Sequence, residues 1–316
     1  MRKETASKAP ASAAWIDKPD YTARIRYIGR DSREYPPQLL PYPRMPEGLY
    51  VIGSLPDPDQ KSAAIVGARA CSAYGKAEAR RFGRELAAAG VQIISGLAYG
   101  ADRWAHEGAL EAGGRTFAVL GCGADVCYPK ENIRVYEKIA EEGGLLSEYM
   151  PGVPPVSWHF PIRNRIISAL ADVVLVVEAR LRSGSLITAD YALEQGKSIY
   201  AIPGKNADPL SQGCNRLIAQ GAGIAISPEI LLEELGLAAS SSRKKRSGTA
   251  VRKLPDGWKD RELSVRILRA LGEGEKTMHE LCEATGKNPS ELAGPLMQLC
   301  LYGYAEEAAI GYYALK

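Results

Sequence analysis

The stretch Lys61-Ser62-Ala63-Ala64-Ile65-Val66-Gly67-Ala68-Arg69 decides the fold. Its apolar run, residues 63–66, is short and continuous and meets Gly67 directly, as in a strand that is buried on both faces and ends in a tight turn. Helical spacing then runs through residues 75–89, and Gly90 follows in the position of a helix C-cap. This order is typical of the first unit of a parallel α/β sheet.

The same alternation continues to residue 237. Further strands are predicted at residues 91–94, 116–120, 145–146, 173–177, 198–202 and 223–226, and further helices at 101–112, 131–141, 161–170, 186–195, 213–219 and 228–235. We therefore predict an α/β fold, a Rossmann-like, doubly wound and mainly parallel sheet, over residues 59–237. Ligands of such sheets bind outside the carboxyl ends of the strands. One crevice should therefore be surrounded by the loops 67–75, 95–102, 121–130, 178–188 and 203–215.

Four segments flank this domain or follow it. Residues 1–14 are rich in Ala, Ser, Lys and Pro and are predicted to be a disordered tail. Residues 15–58 are rich in proline, which predicts an extended N-terminal segment with one short helix and an edge strand at 49–52. Residues 238–253 (AASSSRKKRSGTAVRK) form a basic linker. Three helices and a hairpin predict a small winged-helix domain over residues 254–316.

The net charge of +3 is unevenly distributed. Residues 1–237 hold 27 basic and 27 acidic side chains, the linker holds six basic and none acidic, and residues 254–316 hold seven basic and ten acidic. A nucleic-acid binder needs a local basic footprint, which must here come from the crevice loops or from the linker. The third helix of the last domain, predicted at 289–301, contains no Lys or Arg. We expect it to contact protein, in this molecule or another, rather than DNA.

Composition excludes several other classes of protein. The six cysteines form no Cys-x-x-Cys pair and the sequence has three His, so we expect no metal site and reduced cysteines. No apolar run reaches the roughly 18 residues that a membrane span needs. We therefore expect a cytoplasmic protein that does not contact a membrane.

The turn after the first strand favours phosphate binding. A glycine turn lets backbone amides approach an anion, and the following helix adds partial positive charge. The turn is neither Gly-x-Gly-x-x-Gly nor a Walker A loop, so a phosphate is expected but no bound dinucleotide or other cofactor. Arg69 would supply charge at the strand tip, and its alternative role is to pair with a nearby carboxylate.

Later loops add further candidate contacts. Ser95-Gly96 and Gly121-Cys122-Gly123 place glycine where backbone can come close to a ligand, and Lys130 brings a second positive charge. Arg163 and Arg165 are two residues apart and face differently on a helix, so one is expected at a phosphate and the other in a structural role. The crevice is also expected to contain an anion cradle, formed at a helix start by Ser183, Gly184 and Ser185, and a lysine at its rim, Lys205. The expected roles of Asp102 and His106 are capping and packing.

Together these pieces resemble the DprA family of DNA-processing proteins, also called Smf. The matching motifs occur in order over about residues 62–232: Val66-Gly67-Ala68-Arg69, Ser95-Gly96-Leu97-Ala98-Tyr99-Gly100, Gly121-Cys122-Gly123 with Tyr128-Pro129, Phe160-Pro161-Ile162-Arg163-Asn164-Arg165, Ser183-Gly184-Ser185 with Thr188, and Pro203-Gly204 with Gly213-Cys214-Asn215. The combination is highly specific, although each motif alone is weak. Trp104, a large residue early in the second helix, and Ala68 depart from the family pattern.

The resemblance implies a homodimeric protein of natural transformation that binds and protects incoming single-stranded DNA and helps to load the RecA recombinase. It implies phosphate contacts by Arg69 and Lys130. Ser95, Gly96, Arg163, Ser183, Gly184, Ser185 and Lys205 are implied as further crevice contacts, beside the Gly67 turn.

The alternative is a nucleotide-acting enzyme similar to the phosphoribohydrolases of the related Rossmann-like superfamily. Their Pro-Gly-Gly-x-Gly-Thr-x-x-Glu signature is replaced here by residues 182–188, which lack a glutamate in the catalytic place. No Ser-His-Asp set or paired carboxylates suggest hydrolysis either. The sequence therefore favours a binding protein without catalytic residues.

Overall fold

The computed structural model describes residues 15–237, 254–255, 258, 260–272, 276–309 and 312–315. The protein divides into two compact units, Met1–Ala238 and Ala239–Lys316. The predicted tail, residues 1–14, and the predicted linker, residues 238–253, lie outside the described residues.

The N-terminal unit alternates strands and helices. Its strands are β1 (Ile16–Asp17), β2 (Arg26–Gly29), β3 (Gly48–Gly53), β4 (Ser62–Val66), β5 (Gln92–Ser95), β6 (Thr116–Leu120), β7 (Val126–Cys127), β8 (Gly144–Ser147), β9 (Val173–Val176), β10 (Ser198–Ala201) and β11 (Gly223–Ile224). Its helices are α1 (Pro19–Thr22), α2 (Ala73–Ala88), α3 (Ala101–Glu111), α4 (Ile133–Glu142), α5 (His159–Leu170), α6 (Gly184–Glu194), α7 (Gln212–Ala219) and α8 (Pro228–Glu234). Short 3₁₀ turns occur at Pro37–Leu39 and Lys130–Asn132.

The main sheet has the order β11-β10-β9-β4-β5-β6-β8-β3-β2 in the part of the sequence that the structure describes. All neighbours from β11 to β8 are parallel, whereas β3 runs antiparallel to β8 and β2 antiparallel to β3. Strands β4 and β9 are buried along their whole length, as their unbroken apolar sequences require. The predicted Rossmann-like, mainly parallel α/β fold is confirmed.

The strand predicted at residues 49–52 is present as β3, but its predicted position at the edge is wrong, because β3 lies inside the sheet between β8 and β2. Strand β2 covers its outer side, with Tyr27 opposite Tyr50 and their ring centroids 5.0 Å apart. A Cβ on Gly48 would come within 2.3 Å of the Tyr27 ring, so glycine there leaves room for this tyrosine. The four residues of β2 are too few to show the alternation of apolar and polar side chains by which a strand is recognised from sequence.

Helices cover both faces of the sheet. The side chains of Ala64 and Val66 pack with those of α5 and α6, while Ala63 and Ile65 pack with α2, α3 and α8 on the other face. Helices α2 and α3 approach closely, since a Cβ on Gly83 would lie 2.3 Å from the Ala105 carbonyl oxygen. The order of the strands reverses beside β4, which has β9 on one side and β5 on the other. The loops that follow β4 and β9 therefore diverge and leave a crevice.

The C-terminal unit has its own core. In order it contains α9 (Arg261–Leu271), β12 (Lys276–Thr277), α10 (Met278–Thr285), α11 (Pro289–Leu301), β13 (Ala305–Ala309) and β14 (Tyr312–Leu315). The strands pair antiparallel in the order β12-β14-β13, and Ile267, Leu281 and Leu292 are fully buried. This is the order of elements expected of the predicted winged-helix domain, and that assignment stays a prediction. Among the described helices, none is long and apolar enough to cross a membrane.

Candidate nucleic-acid interface

A crevice of about 330 Å³ opens at the carboxyl ends of β4 and β9. Its walls are the loop after β4, the loop after β9, and the first turns of α5 and α6. Four arginines and one carboxylate contribute to the lining: Arg69, Arg163, Arg180, Arg182 and Asp102. This excess of positive charge in a concave site favours an anionic ligand.

Arg69 lies exposed at the tip of β4. Its guanidinium carbon is 5.1 Å from the centroid of the Phe160 ring, which lines the same crevice. Within the described residues it has no carboxylate partner. The alternative of an ion pair is thus not seen among the described residues, and the phosphate contact predicted for Arg69 stays a prediction.

Arg180 and Arg182 follow β9, and the sequence patterns did not identify them. Both are exposed, and the structure shows no ion pair for either among the residues it describes. They stand between the end of a buried strand and a serine-capped helix, which is where a doubly wound sheet places ligand contacts. That position is the sequence signal that could have identified them.

The first turn of α6 faces the crevice through Ser183, Gly184 and Ser185. The Ser183 hydroxyl caps the helix by accepting from the Ser185 amide, and the two hydroxyl oxygens are 2.7 Å apart. No side chain covers Gly184, because a Cβ built there meets nothing within 4 Å. The Nδ2 group of Asn164 donates to the Gly184 carbonyl at 3.2 Å and ties α5 to this turn. The predicted anion cradle thus lies beside Arg180 and Arg182.

Arg163 forms the floor of the crevice. It is 3% exposed and donates to the Gly96 carbonyl at 2.9 Å and to the Val119 carbonyl. Burial lowers the pKa of Arg163 to about 10, so the guanidinium stays charged at neutral pH. It joins the ends of β5 and β6, whereas Arg165 forms a two-pronged ion pair with Glu148 at 2.7 and 2.8 Å.

Asp102 lies beside this arginine under the crevice. Its carboxylate accepts from the Gly96 amide at 3.1 Å and the Ala98 amide at 3.4 Å, as expected of a residue in the first turn of α3. Burial raises the pKa of Asp102, while Arg163 and the two amides oppose that change. A Cβ on Gly96 would lie within 3 Å of both side chains, so Gly96 is glycine because these groups flank it.

The N-terminus of α2 already holds a protein carboxylate, and here the structure differs from the expected phosphate cradle. Glu178 accepts from the Ser72 amide at 2.8 Å and from the Ser72 hydroxyl at 2.5 Å. Gly67 packs against α3, since a Cβ on it would lie 2.7 Å from the Ala101 methyl. The turn after β4 therefore contributes Arg69 to the crevice, and α6 provides the open helix N-terminus.

Four predicted contacts do not line the crevice: Gly96, described above, and Ser95, Lys130 and Lys205. Ser95 is fully buried and donates to the Ile65 carbonyl at 2.6 Å, beneath the crevice. Lys130 is half-buried in the 3₁₀ turn before α4, and Lys205 is exposed in the loop after β10. Their DNA contacts stay predictions. Asn132, two residues after Lys130, donates to the Leu97 and Ala98 carbonyls and so fixes that turn to the loop after β5.

Comparison with known proteins identifies relatives of this protein. The profile of the family described as DNA recombination-mediator protein A matches residues 26–236. Protein Smf of Escherichia coli is 39% identical over 309 residues, which is 97% of the present sequence and 80% of that protein.

Two solved structures share the fold of the N-terminal unit. DNA processing protein A of Streptococcus pneumoniae is 39% identical with a TM-score of 0.63, covering 69% of the present sequence and 78% of its own. DNA processing protein A of Helicobacter pylori is 32% identical with a TM-score of 0.60, covering 67% of the present sequence and 97% of its own. The Helicobacter structure was described for its single-stranded DNA binding mode.

Proposed function

The chain belongs to the DNA recombination-mediator protein A family, and we propose that it binds single-stranded DNA through the arginine-lined crevice. In the proposed role it protects incoming DNA and helps to load RecA during natural transformation. The observation that carries the binding proposal is the grouping of Arg69, Arg180 and Arg182 around the open N-terminus of α6. Three cations and a helix N-terminus in one crevice match the spaced charges of a DNA backbone.

Phe160 favours a single strand over a duplex. Its ring lines the crevice beside Arg69, and aromatic side chains next to cations allow an unpaired base to stack while its phosphate is neutralised. Bases inside a duplex are already stacked and paired. The Helicobacter relative, with its single-stranded DNA binding mode, supports the same preference.

Binding without catalysis is the proposed activity. The lining contains a single carboxylate among the described residues, Asp102, which accepts two backbone amides beneath the surface. Glu178 is likewise bound to Ser72, and Glu194 is exposed near the end of α6. The lining of the crevice therefore offers, among the described residues, no unbound carboxylate for the nucleotide-hydrolysing alternative. Turnover of a nucleotide in a substrate screen would revive that alternative.

The homodimer and the RecA interaction are supported by the family resemblance. A dimer would present two crevices to one strand, and two linked sites bind more tightly than either site alone. Analytical ultracentrifugation of the full-length protein tests the dimer, and co-sedimentation with RecA in the presence of single-stranded DNA tests the second partner.

The binding proposal is tested by titrating a labelled single strand with wild-type protein and with Arg69→Ala and Lys130→Ala. Arg69→Ala is expected to weaken binding about tenfold, because a charge-assisted phosphate contact is lost. Arg84→Ala is the matched control, since Arg84 is exposed near the far end of α2. Duplex DNA of the same sequence should bind more weakly. Unchanged affinity in Arg69→Ala would contradict the crevice as the site, and unchanged affinity in Lys130→Ala would remove Lys130 from the predicted contacts.

A further inference from the structure

A second groove, distinct from the crevice described above, is also lined by Arg69. It has a volume of about 620 Å³ and is open to solvent. Among the described residues, three cations, two aromatic rings and no carboxylate line it: Arg69, Lys76, Arg103, Tyr99 and Trp104. We call it the side groove. Because Arg69 and Ala70 line both cavities, the side groove adjoins the crevice at this arginine.

Tyr99 is held next to Arg69 by the backbone. The loop after β5 meets the loop after β4 where the Ala101 amide donates to the Ala68 carbonyl at 3.2 Å. Gly100 makes this approach possible: its φ is +75°, and a Cβ there would lie 2.2 Å from the Ala68 carbonyl oxygen. The residue before it, Tyr99, is thus fixed beside the arginine turn.

The Tyr99 ring is exposed and oriented. It is 37% exposed, and its hydroxyl donates to the Glu131 carboxylate at 2.5 Å. That hydrogen bond raises the pKa of Tyr99 to about 12, so the hydroxyl stays protonated at neutral pH. An exposed ring whose hydroxyl is anchored loses little freedom when a base stacks on it. The adjacent carboxylate disfavours a phosphate at this spot, which leaves the ring to a base.

The cations of the side groove suit the backbone of the same strand. Lys76, near the start of α2, is exposed and has no ion-pair partner among the described residues. Arg103 is paired with Glu107 at 2.9 Å, and its guanidinium lies 5.5 Å from the Trp104 ring. Lys76 is therefore the better placed of these two cations to contact a phosphate.

We propose that the side groove extends the DNA-binding site, with one base of the strand stacked on Tyr99 and a neighbouring phosphate on Lys76. This inference rests on the proposed function, since it assigns the nucleotides that adjoin those in the crevice. It assigns a role in binding to Tyr99 and Lys76, which the family resemblance did not. Cations interleaved with aromatic rings are the general solution for binding single strands without sequence preference.

Oligonucleotide length separates the two sites. The full-length protein is titrated with oligo(dT) of about 6 nucleotides, which fills one site, and of about 20 nucleotides, which spans both. Tyr99→Ala and Lys76→Ala should bind the short strand like wild type. Both should weaken the binding of the long strand, Tyr99→Ala by about tenfold. Tyr99→Phe keeps the ring and should retain most of the affinity. Tyr27→Ala and Lys138→Ala, on β2 and α4, are the matched controls.

A strand carrying 5-iodouracil gives an independent measurement. Irradiation of the wild-type complex should crosslink the longer strand to a peptide that contains Tyr99 or Trp104. The proposal is overturned if Tyr99→Ala and Lys76→Ala bind the long strand like wild type, or if they weaken both lengths equally. If Arg69→Ala also binds both lengths like wild type, the proposed function itself has failed.

Discussion

Arg69 and Arg163 line the same crevice but differ in solvent exposure and in hydrogen-bond partners. Arg69 is exposed beside Phe160, whereas Arg163 is buried and donates to the carbonyls of Gly96 and Val119. Arg163→Ala should lower the free energy of unfolding by about 3 kcal/mol, because it leaves those carbonyls and Asp102 buried without their partner. Arg69→Ala should leave stability unchanged. Urea unfolding followed by circular dichroism measures both, and equal midpoints for the two variants would refute this division of roles.

Because of the buried histidine His106, we expect the folded protein to lose stability in mild acid. It is fully buried, its Nδ1 lies 2.6 Å from the Thr116 hydroxyl oxygen, and burial lowers its pKa to about 3. Only the unfolded state binds a proton here as the pH falls below about 6.5, the ordinary value for histidine. The free energy of unfolding should therefore fall by about 1.2 kcal/mol between about pH 6 and pH 5.

Urea titrations at several pH values measure this slope. His106→Phe, which keeps a ring of similar size, should flatten it, because no group at that position then titrates. A variant with the wild-type slope would assign the acid sensitivity to other residues.

Two glycines show that the role of a single residue cannot always be predicted from its type. Gly67 and Gly96 were expected to let backbone approach a ligand, yet their missing side chains make room for Ala101, Arg163 and Asp102. Both interpretations require glycine, so the residue type alone does not separate them. The groups that flank Gly96 come from two helices and are 6 and 67 positions away in the sequence.

At the scale of elements, α6 presents the open helix N-terminus. Gly184→Ala tests this, since a Cβ at Gly184 meets nothing within 4 Å and alanine favours the helix. The free energy of unfolding should stay equal or rise by about 0.5–1 kcal/mol. Affinity for single-stranded DNA should nevertheless fall, because the methyl group occupies the approach to the first amides of the helix.

The control for this substitution is Gly294→Ala in α11, where a Cβ also meets nothing within 4 Å. It should change neither the DNA affinity nor the structure of the crevice. If Gly184→Ala binds single strands as tightly as wild type, a phosphate at the α6 N-terminus is excluded.

Most elements of the sheet were predictable because their signals are local. Continuous apolar runs predicted β4 and β9, and Gly90 marked the end of the helix that follows β4. Strand β2 was missed because its place depends on pairing with β3, and the occupied N-terminus of α2 was missed because Glu178 comes from a distant loop. Arg180 and Arg182 were named by neither pattern nor resemblance as DNA contacts, because residue type alone does not distinguish a crevice arginine from a solvated one. Their position between a buried strand and a serine-capped helix was the signal that could have identified them.

At the scale of the whole molecule, DNA affinity is expected to reside in the N-terminal unit. The last domain, residues 254–316, carries seven basic and ten acidic side chains, and helix α11 has Glu291 paired with Lys287 at 2.8 Å. We predict that residues 254–316 alone, which have their own core, do not bind single-stranded DNA at micromolar concentration. Removal of residues 238–316 should leave most of the affinity. Fluorescence anisotropy of a labelled strand measures both proteins, and micromolar binding by the isolated domain would contradict the prediction.

The dependence of single-strand affinity on salt tests the central claim most directly. Each phosphate contact to a single strand contributes about −0.7 to the slope of log affinity against log salt concentration. Replacing Arg69, Arg180 and Arg182 with alanine, singly and together, should make the slope shallower by about 0.7 for each arginine removed. An unchanged slope in the triple variant, with the fold intact, would show that the crevice does not hold the DNA backbone.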